Sequence, residues 1–187
     1  MRRTQPLGPA EHAILGLLYQ SPSHGYELAE WFGPDGEFGE VCRVHPSLLY
    51  SHLKRLESLG YVVSNVERQV GRPPRHIYNL TDVGRAEFWR WLEQPARRNR
   101  EIRLQFLLRL YLSQRMAAHD TLSLIDAQLA VSREQLVAQK LELERYPIDS
   151  FARLVRQLRL TTTEGTITWL QQYRDQLAGQ RVEAGGS

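Results

Sequence analysis

Hydroxyls and cations alternate with leucines over residues 45–60, HPSLLYSHLKRLESLG. In a helix, Leu48, Leu49, Leu53, Leu56 and Leu59 recur at spacings of three and four and take one buried face. Ser47, Tyr50, Ser51, Lys54 and Arg55 are then left to point elsewhere. Hydroxyls near a helix N-terminus, with cations further along, suit contacts to phosphate oxygens and base edges in a groove of duplex DNA. A plain amphipathic helix with a solvated face has the same pattern, and Tyr50 fits partial burial against the first helix equally well. A second group follows in Gln69-Val70-Gly71-Arg72-Pro73-Pro74-Arg75, which puts Arg72 and Arg75 on a proline-stiffened turn that loses little entropy on ordering.

The elements that must position these side chains are clearly punctuated. Pro46 suits the first helical position and Gly60 the left-handed residue that closes a helix, so a helix is predicted over 46–59. His45 takes the N-cap, where Ser, Thr, Asn or Asp is preferred. Residues 61–66 and 76–80 are β-branched and aromatic and read as a hairpin around the arginine-bearing turn. Upstream, Pro9 opens a helix carrying Ile14, Leu15, Leu17 and Leu18, with Glu11 in its first turn beside the positive end of the dipole. Residues 25–32 give a second helix, and the glycines and proline of 33–39 force a loop. Downstream, Thr81 and Asp82 predict a helix to about Leu92. Helix, helix, loop, helix, hairpin is the wiring of a winged helix-turn-helix. Residues 43–76 hold six Lys and Arg against two acids, more basic than a chain of net charge +3.

LLYSHLKRLESLGYV, followed by GRPPRHIYNLTDVGR and preceded by HGYEL at 24–28, resembles the winged helix-turn-helix signature of the PadR family of transcriptional regulators. The resemblance implies that helix 46–59 enters the major groove and that the wing tip tracks the neighbouring backbone or minor groove. It implies a sequence-specific DNA-binding regulator, a homodimeric repressor on a pseudo-palindromic operator, released in some members by phenolic acids or drugs.

The remaining sequence is helical in pattern. Pro95-Ala96-Arg97-Arg98-Asn99-Arg100 is a basic joint, and the domain boundary is predicted there: a head over 1–95, a helical dimerisation domain over 96–181 and a disordered tail over 182–187. Residues 102–112 are apolar around most of a helix. A helix from about Met116 carries Leu122, Leu129, Leu136 and Leu143 at intervals of seven, the candidate dimerisation residues. A second stripe, Leu124, Val131, Val137 and Leu141, calls for two neighbours, the chain's own domain and a second copy. The last helix, from about Ser150, is expected to bury Phe151, Leu154, Val155, Leu158, Ile167, Leu170, Tyr173 and Leu177, with a weak middle at Thr161-Thr162-Thr163 and Gly165. This half resembles the longer helical dimerisation domain of one PadR branch. Aromatics where head and arms are expected to meet suit a planar small molecule, and Trp89, Phe106, Tyr111 and Trp169 are the candidate effector contacts. Plain core packing is the competing account of the same residues.

The composition is that of a water-soluble domain protein, with 42% hydrophobic and 24% charged residues in 187. One cysteine excludes an internal disulfide framework and suits a reducing cytoplasm. No run approaches the roughly 18 apolar residues of a membrane span, and no signal-peptide core follows the first residues. The expectation is a cytoplasmic protein without a cofactor and not an enzyme, since no phosphate-cradling G-x-x-x-x-G-K and no nucleophile elbow is present. Two alternatives stay open. Cys42-Arg43-Val44-His45 has C-x-x-H spacing and offers a metal- or thiol-oxidation-responsive sensor. A winged head can also bind protein, which polyanion competition separates from DNA binding.

Overall fold

In the computed structural model, which describes residues 6–67, 75–116 and 120–185, caps and helix breakers set most element boundaries. Helix α1 (Pro9–Gln20) starts on its proline and stops at Ser21-Pro22. Strand β1 (Ser23–His24) leads into α2 (Gly25–Trp31), where the Glu27 carboxylate accepts the His24 backbone N–H at 2.8 Å. Helix α3 (Pro46–Ser58) ends one residue short of the predicted 59, with Leu59 as C-cap and Gly60 at φ 76°, the left-handed conformation that glycine adopts without penalty. Strands β2 (Val62–Glu67) and β3 (Arg75–Leu80) pair antiparallel, from Val62 opposite Leu80 to Glu67 opposite Arg75. Helix α4 (Asp82–Leu92) is capped as expected, the Thr81 hydroxyl accepting the Gly84 N–H at 3.0 Å.

The sheet has a strand that the sequence did not announce. β1 pairs the other edge of β3, Ser23 opposite Tyr78 and His24 opposite Ile77, giving the order β1-β3-β2. Two residues are too few for an alternating pattern to register.

The chain divides into two compact units, Met1–Gln94 with Leu107–Met116 and Pro95–Phe106 with Ala117–Ser187. The first unit breaks off at Gln94 and takes up the chain again over 107–116. The switch falls in the stretch 99–114, which forms α5 (Asn99–Glu101), a π-helical turn over Ile102–Phe106 and α6 (Leu107–Gln114). A π-helical turn shifts the register of side chains that follow it. Leu108, Leu112 and Met116 join the first unit's core of Ile14, Leu15, Leu28, Phe32, Phe38, Leu49, Leu53, Leu56, Phe88 and Leu92.

The second unit is built on α7 (Thr121–Leu143) and α8 (Phe151–Gly185). Ion pairs Arg174–Asp126, Lys140–Glu164 and Arg156–Glu142 fix the two helices antiparallel. Between them Leu124, Ile125, Leu129, Ile167 and Leu170 are buried. The fully buried Gln128 accepts the Ala96 N–H at 2.7 Å and donates to its carbonyl at 2.9 Å, clasping the joint to α7. Helix α8 continues through the threonines, whose hydroxyls at 162, 163, 166 and 168 each donate to the carbonyl four residues back, and runs on to Gly185 past the predicted start of the tail. Its first turns differ from expectation: Phe151, Leu154 and Leu158 are 78, 62 and 69% exposed. Among the described residues no helix is long and apolar enough to cross a membrane.

Candidate nucleic-acid interface

Helix α3 is held from behind by Leu49, Leu53 and Leu56, all fully buried at a strict four-then-three spacing. Leu48, expected on that face, is 49% exposed, because it lies about 100° around the helix from Leu49. The exposed surface is Ser47, Leu48, Tyr50, Ser51 and Lys54. His45 serves as N-cap after all: its Nδ1 accepts the Ser47 N–H at 3.4 Å and lies 2.9 Å from the Ser47 hydroxyl. The Ser51 hydroxyl donates to the Ser47 carbonyl at 3.0 Å and keeps its acceptor lone pairs toward solvent.

Arg55 stands apart from the other α3 candidates. Its Nη1 lies 2.5 Å from both oxygens of Glu11, a residue 2% exposed. His52 Nδ1 lies 3.3 Å from Glu11 Oε1, and the Gly8 N–H donates to Oε2 at 2.7 Å. Burial alone would raise the Glu11 carboxyl, but the Arg55 hydrogen bond, the Gly8 N–H, the Arg55 charge and His52 together hold it below the ordinary carboxylate range. Arg55 was predicted to turn outward; instead it neutralises a buried acid of α1 and ties α1 to α3.

Arg75 opens β3 and sets its guanidinium 5.4 Å from the centre of the Tyr26 ring. Tyr26 stacks on His24 at 5.5 Å, and His24 Nδ1 lies 3.2 Å from the His76 carbonyl. Tyr50 comes so close to Gly25 that a Cβ there would meet its ring at 2.6 Å. Tyr50 and Arg75, separate in the sequence, therefore share a cleft of about 270 Å³ with His24, Tyr26, His76 and Tyr78. Burial, with Glu57 and Tyr50 nearby, pushes the Tyr78 phenol up, so it stays a neutral hydroxyl. These four neighbours were not singled out in advance; only the aromatic and histidine content of HGYEL and HIY signalled them. Arg72 lies outside the described residues.

The effector candidates divide between the two units. Trp89 and Tyr111 sit in the first unit, Phe106 and Trp169 in the second. Trp89 packs edge-on to Tyr19, Tyr111 edge-on to Phe38, and Trp169 stacks on Tyr173, while Phe106 is fully buried. Burial and a hydrogen bond with Glu37 push the Tyr111 phenol up to about 12. Of the heptad leucines, Leu129 is buried within its own unit, and Leu122, Leu136 and Leu143 are half-buried. Burial raises the Cys42 thiol, the opposite of what a reactive thiolate needs. Among the described residues no three His, Cys, Asp or Glu are grouped to hold a metal ion.

Residues 14–90 match the family described as "Transcriptional regulator PadR-like family". A protein of Mycobacterium tuberculosis named a probable transcriptional regulator is 37% identical over 84 residues, 45% of this chain and 43% of that protein. The negative transcriptional regulator PadR of Bacillus subtilis is 26% identical over 126 residues, 67% of this chain and 68% of its own length. The alignment with the mycobacterial relative thus spans less than half of that protein. The crystal structure of Bacillus subtilis PadR in complex with operator DNA is similar over 92% of this chain and 99% of that one, at 23% identity and a TM-score of 0.47. The capped α3 and its hairpin both fall inside residues 14–90, so the segment that carries the candidate interface is the one that matches the PadR-like family of transcriptional regulators.

Proposed function

We propose that the chain binds double-stranded DNA as a homodimer, laying α3 into the major groove and the β2–β3 wing on the adjacent backbone or minor groove. The observation that carries this is the division of α3: one face is sealed core, while Ser47, Tyr50, Ser51 and Lys54 are exposed together, and Tyr50 among them shares a cleft with Arg75. Hydroxyls, a phenol and cations are the groups that meet base edges and phosphates. Arg55 contributes indirectly, by fixing α3 on α1.

A second copy completes the site. One winged helix makes few base contacts, and two heads about 34–36 Å apart read a pseudo-palindrome. The surface offered to that copy is the exposed apolar stripe Val137, Leu141, Ile148, Phe151, Leu154 and Leu158, in place of the heptad leucines. Repression is the sense favoured by relatedness to a negative regulator. Release by a small aromatic effector is the finer part of the proposal, and quenching of tryptophan fluorescence on titration checks it.

Selection of binding sites from random duplexes tests the core of the proposal, with an inverted repeat expected. On that site, changing Arg72 and Arg75 together to Ala should weaken binding and flatten the salt dependence by roughly one to two units of slope. Recovery of no preferred duplex by the full chain rejects sequence-specific DNA binding.

A further inference from the structure

The second unit holds a cavity of about 480 Å³ walled by four arginines, Arg97, Arg98, Arg100 and Arg159, and by the amides Asn99, Gln135 and Gln139. We infer that this cavity binds a small, multiply charged oxyanion, of the chemical class of polycarboxylates. Its volume lies in the range of small-molecule sites.

The charge is unbalanced. Arg98 has Glu101 at 3.9 Å, but among the described residues Arg97, Arg100 and Arg159 have no carboxylate partner. Clustered like charges repel unless an anion joins them, and the guanidinium fork matches carboxylate and phosphate oxygens two at a time. The wall is also fixed in place. Asn99 Nδ2 donates to the Arg159 carbonyl and to the Thr163 hydroxyl, each at 3.2 Å. Gln135 Nε2 donates to the Arg97 carbonyl at 2.5 Å, and Glu101 accepts the Arg97 N–H at 3.0 Å.

Gln139 lines the same cavity, but its Oε1 is shielded from solvent and so faces away from the space a ligand can fill.

The test uses the full chain without DNA, so its failure leaves the operator proposal standing and the reverse also holds. Citrate is titrated calorimetrically at matched ionic strength against chloride. It should bind saturably, and Arg100→Ala with Arg159→Ala should weaken it by about tenfold or more. Both arginines are exposed, so the double variant keeps its fold, which an unchanged circular dichroism melt verifies. No saturable binding, or binding indifferent to the double substitution, overturns the inference. So does loss of duplex binding in the double variant when citrate does not bind the parent, which gives the arginines to DNA.

Discussion

Glu11 shows how one side chain constrains α3. A carboxylate 2% exposed must have its charge answered, and Arg55 answers it from α3 with His52 and the Gly8 N–H in support. Because the folded-state pKa is depressed, the contribution is present above the unfolded carboxylate range and is lost as pH falls through the folded value. Arg55→Ala leaves the acid buried with His52 and one N–H, at a cost of about 3 kcal/mol near neutrality. Protonating Glu11 then relieves the variant while it harms the parent. Urea unfolding should therefore show the gap between parent and variant closing as pH is lowered from about 6 to about 3. A gap independent of pH would mean that Arg55 acts through packing alone. Lys54 is the opposite case. It is exposed and makes no ion pair among the described residues, so Lys54→Ala should leave stability unchanged while weakening binding across duplexes and reducing the salt slope by about one unit.

The elements were legible where one residue decides them and obscure where a neighbour does. Pro9, Pro46, Thr81 and Gly60 each specify a boundary by their own chemistry, and the helices start and stop at them. Leu48 was misassigned because a run of two leucines fits a helical stripe in either register, and only the packing of α1 on α3 selects Leu49. Arg55 looked like Lys54 because its partner lies 44 positions away. β1 exists only because β3 offers it an edge. Gly84 is the reverse: it stood in the resemblance as part of TDVGR, and its reason is visible only in three dimensions. A Cβ there would lie 2.0 Å from the Tyr61 carbonyl oxygen and 2.8 Å from Leu80 Cδ1. In an open helix Gly→Ala stabilises by about 1 kcal/mol. Here the sign should invert, Gly84→Ala costing about 1–3 kcal/mol by forcing α4 away from β2. Denaturant unfolding reads the sign directly, and a stabilised variant would mean that α4 can shift freely.

At the scale of the molecule, the α7–α8 hairpin ends in exposed apolar side chains. Val137 and Leu141 sit one turn apart near the end of α7, and Phe151, Leu154 and Leu158 fall at three and four along the start of α8, with Ile148 between the helices. All six are more than half exposed. Antiparallel pairing brings the two short runs to the same end, and contiguous exposed apolar surface marks an association face. Of the heptad leucines, Leu129 serves the packing of α7 on α8 within one chain, so the proposed association face is the exposed run and not the heptad. Two Leu→Glu changes, at 154 and 158, decide between these faces. Both side chains already meet solvent, so the helices should keep their circular dichroism and melting behaviour, while the mass by light scattering should fall to that of one chain. Joining two heads raises avidity by roughly 10²–10⁴ over a single one. Operator affinity should therefore drop by about 100-fold or more, with half-site affinity unchanged. A double variant that remains a dimer would assign association to another surface, and one that becomes a monomer with full operator affinity would remove pairing from recognition.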